Sequence, residues 1–274
     1  MHIPVALDRC IELLTPAIEN STTPVFVDAT LGLGGHSFEL LSSFPNLTLI
    51  GIDRDLKAIA KASARLSQFG DRVHIVHSVF NKFDEIVRSF GFEKIDAALF
   101  DLGVSSMQLD VAERGFSYSQ DAPLDMRMDQ SAGITAAEIV NSWSHGELTR
   151  IFRVYGEERF ASRIADFIVR ERESAPIAST SQLAELIKRA IPAPARRTGG
   201  NPAKRTFQAL RIAVNNELEV IESAIPQALN LLNLGGRLVV LSFQSLEDRI
   251  VKEAFTQVTQ STSQIGRASC RERV

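Results

Sequence analysis

Cysteine is scarce in this chain: 274 residues contain only Cys10 and Cys270. Two cysteines exclude a disulfide framework and a cysteine-based zinc site, and no cluster of other ligand types suggests a metal. Long apolar runs are lacking too, so no segment is expected to span a bilayer. The opening Met1-His-Ile-Pro-Val5 has no basic stretch followed by an apolar one, so no secretory signal is expected there. Together these absences predict an intracellular, cytoplasmic protein with no membrane partner. Apolar residues make up 45% of the chain, an ordinary share for a globular protein, which argues against disorder. The length suits one large domain or two smaller ones.

What is present begins with Val25-Phe-Val-Asp-Ala-Thr-Leu-Gly-Leu-Gly-Gly-His-Ser37, answered by Leu49-Ile-Gly-Ile-Asp53. An apolar β-branched run ends in an acid, a glycine loop and a helical pattern follow, and a second apolar run also ends in an acid. Loops at the carboxyl ends of parallel strands are where such sheets take nucleotide-like ligands. No lysine follows the glycines, so a phosphate-binding P-loop is not expected. A dinucleotide fingerprint is a near miss, because Gly32-x-Gly34-x-x is followed by Ser37. Asp53 has the spacing of a ribose-hydroxyl acceptor. Asp28 would repel a pyrophosphate but attract a cation. S-adenosylmethionine, with a sulfonium, an ammonium and a ribose but no phosphate, fits this charge pattern better than NAD.

The first hundred residues alternate between the two periodicities. Strands are expected at 25–29, 47–52, 73–76 and 95–100, with helical patterns at 37–43 and 56–69 between them. This predicts an α/β, Rossmann-like, doubly wound parallel sheet. From Ser105 to Pro202 only helical patterns appear, at 136–143, 157–172 and 181–191. One long helix with Phe207, Leu210, Val214, Leu218, Ile221 and Ile225 on its stripe then runs to Asn233-Leu-Gly-Gly236, and a strand resumes at Arg237. The expected organisation is a discontinuous sheet domain, 1–104 and 205–259, interrupted by a helical subdomain over 105–204. Residues 260–274 lack periodicity and are expected to be a truncated or foreign tail.

Charge is uneven. Between Arg150 and Val214 there are thirteen basic and six acidic residues, a local excess of +7 that leaves −10 for the rest. A basic tract in an acidic chain suits a polyanion partner; a solvated helical face laced with ion pairs gives the same count. Around the start of the long helix, Lys204, Arg205 and Arg211 are candidates to meet phosphates. Helix capping by Thr206 with incidental charge is the competing reading.

Ile95-Asp-Ala-Ala-Leu-Phe-Asp101-Leu-Gly-Val-Ser-Ser106 repeats the pattern of strand, terminal acid and small-residue loop. Asp101 is therefore a candidate to meet cofactor or substrate. Phe80 follows the third strand and is a candidate to cover an adenine face, or is core. His36 is a candidate partner for a ligand carboxylate. The aperiodic stretch from Gln108 to Met128 mixes Gly, Pro, aromatic and polar residues and reads as an ordered functional loop.

Several of these segments together resemble one family. The glycines with His36-Ser37, Asp101-Leu-Gly-Val-Ser-Ser106, Arg114-Gly-Phe-Ser117, Pro123-Leu-Asp-Met-Arg-Met128, Tyr155-Gly-Glu-Glu158, Thr206-Phe-Gln-Ala-Leu-Arg-Ile212 and Ser245-Leu-Glu-Asp-Arg249 look like the bacterial 16S ribosomal RNA cytosine-N4 methyltransferases. The similarity runs from His2 to about Lys252. It implies S-adenosyl-L-methionine as methyl donor and a decoding-region cytidine of 16S rRNA, in the small ribosomal subunit, as acceptor. It implies cofactor binding by Gly34, Gly35, His36, Asp53, Phe80, Asp101 and Gln108. It also implies substrate recognition by the inserted region. Arg114, Arg127, Lys204, Arg205 and Arg211 are the candidate RNA contacts, and Asp101, as an acceptor for the cytosine amine N–H, is the candidate catalytic residue. The chain departs from the family pattern at Gln244, where histidine is usual, and in lacking an Asn-Pro-Arg-Ala-Arg-type ending. Two other readings stay open: a non-catalytic RNA-binding or assembly factor on the same fold, and an NAD-dependent oxidoreductase favoured only by the near-fingerprint. The oligomeric state is not readable from the sequence.

Overall fold

The computed structural model describes residues 4–196 and 200–261. Cys270, Arg197 and the tail beyond Ser261 lie outside them. The chain opens with helix α1 (Leu7–Glu19), then strand β1 (Val25–Asp28), α2 (Gly35–Ser43), β2 (Thr48–Asp53), α3 (Leu56–Leu66), β3 (Val73–His77), α4 (Phe83–Ser89) and β4 (Ile95–Asp101). Eight helices follow: α5 (Ser106–Asp110), α6 (Ala136–Ser142), α7 (His145–Val154), α8 (Ala161–Ser174), α9 (Thr180–Ala190), α10 (Ala193–Arg196), α11 (Lys204–Asn215) and α12 (Glu217–Leu231). Strand β5 (Leu232–Leu241) and helix α13 (Ser245–Ser261) complete the described chain.

The five strands are parallel, in the order β3-β2-β1-β4-β5. The α/β reading with a parallel sheet is thus observed. Strand alternation sends side chains to opposite faces. Phe26, Leu49, Ala97 and Leu99 meet α1, α2 and α3 through Leu14, Ile18, Leu40 and Leu66. Val27, Ile50, Ala98 and Phe100 meet α4, α12 and α13 through Phe83, Ile221, Ile225 and Val251. A third core, all helical, gathers Ile139, Leu148, Phe152, Ile164, Leu183 and Leu210 around the long excursion between β4 and β5. Capping boxes start two of its helices, Thr135 with Glu138 on α6 and Ser144 with Glu147 on α7.

Two expected boundaries are corrected. The single long helix is two, because Asn216 turns left-handed at φ 50° and closes α11 before α12 begins. The apolar stripe continues in register across the break, so its periodicity gave no sign of it; asparagine tolerates this conformation better than most residues. Asn233-Leu-Gly-Gly236 does not simply end a helix. It forms the irregular start of β5, where the pairing shifts register between Ile95↔Leu232 and Ala97↔Arg237. Buried Asp96 ties this junction together: one carboxylate oxygen accepts from the Val25 amide at 2.8 Å, the other from the Asn233 side chain at 2.8 Å.

Candidate functional site

The carboxyl ends of β1, β2 and β4 lie side by side, each finished by an aspartate. Between β1 and α2 the chain is zipped down on both sides: the Ala29 amide donates to Leu99 O at 2.9 Å and the Leu31 amide to Ile52 O at 3.0 Å. The loop closes at Gly34, whose φ of 69° is a left-handed conformation that favours glycine. Gly35 has a different constraint: a Cβ there would sit 2.3 Å from Pro4 Cγ. The segment before α1 therefore lies directly on the loop. His36 fastens it, with Nε2 3.1 Å from Val5 O. His36 is buried, and its Nε2 is engaged by this contact.

Each aspartate is held differently. Asp28 is buried and accepts from Ser37 Oγ at 2.7 Å. Asp53 accepts from the Gly32 amide at 2.7 Å and the Asp55 amide at 2.8 Å, so it shapes the glycine loop directly. Asp101 is positioned through its backbone, whose amide donates to Thr30 Oγ1 at 2.6 Å. Its carboxylate has no hydrogen-bond donor among the described residues. Burial pushes all three up: Asp28 rises, Asp53 reaches about 6, and Asp101 reaches about 7 with help from the negative charges of Asp28 and Glu247. Asp28 has His36 and Asp53 has Arg54 as charged neighbours, but three adjacent carboxylates still give this end of the sheet a negative character that favours cations and disfavours phosphate. Phe80 stands beside it, half-buried and edge-on to Phe100 at 5.5 Å.

A buried polar network lies next to this row of aspartates. Asp55 caps α3 and accepts Arg114 Nη1 at 2.7 Å and Gln108 Nε2 at 3.2 Å. Gln108 also accepts from the Ser105 amide at 3.1 Å in the capping box of α5. Arg114 Nη2 donates to the carbonyls of Arg127 and Met128 at 3.1 and 2.8 Å. From the opposite side, Asn215 donates to Met126 O and accepts from the Met128 amide, both at 2.8 Å. The stretch from Pro123 to Met128 is thus an ordered loop pinned between α3 and α11.

The structure redistributes the five arginines and lysines expected to meet RNA. Arg114 is 2% exposed and committed to Asp55, so it is out of reach of a polynucleotide. Arg127 is taken by both oxygens of Asp125 at 2.8 and 2.9 Å. Arg211 is taken by both oxygens of Glu217, also at 2.8 and 2.9 Å. Each of these three arginines therefore has a partner inside the protein, and only Arg127 and Arg211 keep part of the side chain exposed, 22% and 18%. A sequence shows a charge but not its partner. Lys204 and Arg205 are exposed at the start of α11, where Arg205 Nη1 also donates to Glu157 O at 2.8 Å. Glu157 in turn accepts from Ser245 Oγ at 3.2 Å, which links α11 to the start of α13.

Sequence reasoning missed Asp55, Asn215, Glu217 and Glu247 as individuals. Asp55 had a signal, two residues beyond a strand-end acid and at a helix start; Glu247 lay inside a quoted segment without a role. Glu247 is fully buried: Oε2 accepts from the Phe243 amide at 2.9 Å and Oε1 from Gln244 Nε2 at 2.7 Å. Burial raises its pKa against these hydrogen bonds. Gln244, where histidine was expected, keeps its carbonyl oxygen enclosed without a donor among the described residues. No group of three or more His, Cys, Asp or Glu among the described residues is arranged to hold a metal ion. No helix among them is long and apolar enough to cross a membrane.

A chain with this geometry has known relatives. The profile of the MraW methylase family matches residues 1–269. The ribosomal RNA small subunit methyltransferase H of Salinispora tropica is 58% identical over 267 residues, covering 96% of this chain and 72% of that protein. The protein of the same name from Mycolicibacterium smegmatis is 61% identical over 269 residues, covering 97% and 72%. That from Streptomyces avermitilis is 53% identical over 265 residues, covering 97% and 83%.

Proposed function

Since the chain belongs to the MraW methylase family, we propose that it methylates small-subunit ribosomal RNA, taking the methyl group from S-adenosyl-L-methionine and placing it on the exocyclic N4 of a decoding-region cytidine of 16S rRNA. The observation that carries this reading is the row of aspartates ending β1, β2 and β4 over the glycine loop. A donor with two positive centres and no phosphate suits three adjacent carboxylates, of which Asp101 has no hydrogen-bond donor among the described residues. When bound, the donor supplies an electrophilic methyl group. Asp53 would hold the ribose hydroxyls, with Gly34 and Gly35 shaping the loop under the donor, Gly34 by its left-handed turn and Gly35 by leaving room for Pro4. Phe80 would cover the adenine, and Asp101 would face the positive end. Gln108 and His36 would act at one remove, Gln108 by fixing Asp55 and the Ser105 amide, His36 by holding the segment at Pro4 and Val5.

The acceptor is a poor nucleophile, because its lone pair is delocalised into the ring. A carboxylate that accepts one N–H bond helps localise that pair and then takes the proton. Asp101 suits this task, since it is unpartnered and titrates near neutrality. In-line positioning supplies the rest. The inserted helices would recognise the RNA, with Lys204 and Arg205 as its exposed contacts. Acting on that substrate, the protein would work in the cytoplasm. The test is to incubate the chain with methyl-labelled donor and small subunits lacking the modification, then digest the RNA. Label in N4-methylcytidine is the expected result. Label in another nucleoside would refute the assigned position, and cofactor binding without label would favour a non-catalytic assembly factor.

A further inference from the structure

We propose that Phe243 is the platform on which the target cytosine stacks during methyl transfer; this rests on the reading above of the site as an RNA methyltransferase centre. Phe243 lies in the turn after β5 and is 60% exposed. The other exposed phenylalanine among the described residues, Phe90, stacks on His74 at 4.7 Å. Phe243 has no such ring partner among the described residues. Its place is nevertheless fixed, because its amide and that of Gln244 both donate to the buried Glu247 carboxylate, at 2.9 and 3.3 Å. The backbone that carries the ring is thus held in place, while the ring itself has no aromatic or cation partner among the described residues.

The position is informative. A Cβ built on Gly103 would lie 3.9 Å from Phe243 Cδ2, so the ring borders the loop that leaves Asp101. Two residues further on, Ser245 joins Glu157, and Glu157 joins Arg205. An exposed ring at the loop that follows Asp101, with an exposed cation linked to the same turn through Glu157 and Ser245, offers what an unstacked nucleotide requires. The base rests on the ring and its phosphate meets the cation. Enzymes that act on a base hold it by stacking after extracting it from its neighbours.

Turnover and stacking can be read separately. Stacking is worth about 1–3 kcal/mol per base, so Phe243→Leu is expected to lower kcat/KM for subunit methylation about five- to 140-fold. Cofactor affinity and the thermal midpoint should stay at wild-type values, because the ring is exposed and supports neither. Phe243→Tyr should stay within about threefold of wild type, since it keeps a π-face. A second measurement does not depend on turnover. Indole emission of a Phe243→Trp variant, blanked against wild type, is read while titrating single-stranded RNA carrying the target cytidine or an abasic residue in its place. Saturable quenching that needs the cytosine supports the platform. Wild-type kcat/KM in Phe243→Leu, or emission indifferent to the base, overturns it. If wild type transfers no methyl group yet the tryptophan variant is quenched, the platform stands and the methyltransferase reading falls.

Discussion

The half-buried Asp101 carboxylate has no hydrogen-bond donor among the described residues and is pushed up to about 7, and two outcomes follow at the scale of single residues. Asp101→Ala should abolish methyl transfer while the protein still folds; undiminished turnover would remove Asp101 from the chemistry. In wild type, kcat/KM should fall as pH drops below about 7, because protonation removes the acceptor. The same groups set stability. Asp53 and Asp101 hold protons in the folded state that they release in the unfolded chain above its ordinary value of 3.8. The apoprotein therefore loses stability as pH rises through about 6 to 7, and its thermal midpoint should be higher at pH 5.5 than at pH 7.5 with respect to these two groups. A cationic ligand reverses the trend by favouring the ionised forms. S-adenosylmethionine should bind more tightly at the higher pH and release protons, which titration calorimetry in buffers of different ionisation enthalpy measures. That three strands end in acids was legible in the sequence, because strand, acid and small-residue loop form a local pattern. That Arg114 faces Asp55 was not, because the two are 59 residues apart and meet only through the fold.

At the scale of elements, legibility followed periodicity. Helices α6 and α9 and strands β1 to β4 were expected within a residue or two of their observed ends. The break at Asn216 was hidden because a single left-handed residue does not disturb an apolar stripe. The Pro123–Met128 loop was recognised as ordered, but its supports, Asn215 and Arg114, belong to other elements. Removing one partner of a buried ion pair leaves the other uncompensated. Arg114→Ala should therefore destabilise the fold by about 3–5 kcal/mol, seen as a lower denaturant midpoint. Asn215→Ala leaves the Met126 carbonyl and Met128 amide without their bonds and should cost about 1–3 kcal/mol. It should loosen hydrogen-exchange protection of that loop before it affects the sheet.

For the whole molecule, the question is how much of the basic excess reaches solvent. Its net sign was legible from composition; the division into exposed and internally paired cations was not, since pairing is set by packing. Lys204 and Arg205 remain outside, whereas Arg211 is engaged by Glu217. Neutralising Lys204 or Arg205 should weaken RNA binding and reduce the slope of log affinity against log salt by about 0.7 for each single-strand phosphate that the side chain had neutralised. Arg211→Gln should leave that slope unchanged and lower the melting temperature instead. A slope insensitive to both exposed cations would move the RNA path elsewhere.

The junction at Asp96 has a consequence in time. Its two partners, Val25 and Asn233, lie 71 residues before it and 137 residues after it. On the ribosome, β4 emerges long before the strand that covers its outer edge. At about 5–20 residues per second the interval is on the order of ten seconds. The intervening helices make mostly local contacts and have the faster route to structure. During that wait the nascent sheet carries an open, apolar edge of the kind that pairs indiscriminately. The insertion thus makes closure of the sheet the late, aggregation-exposed step of this protein's synthesis.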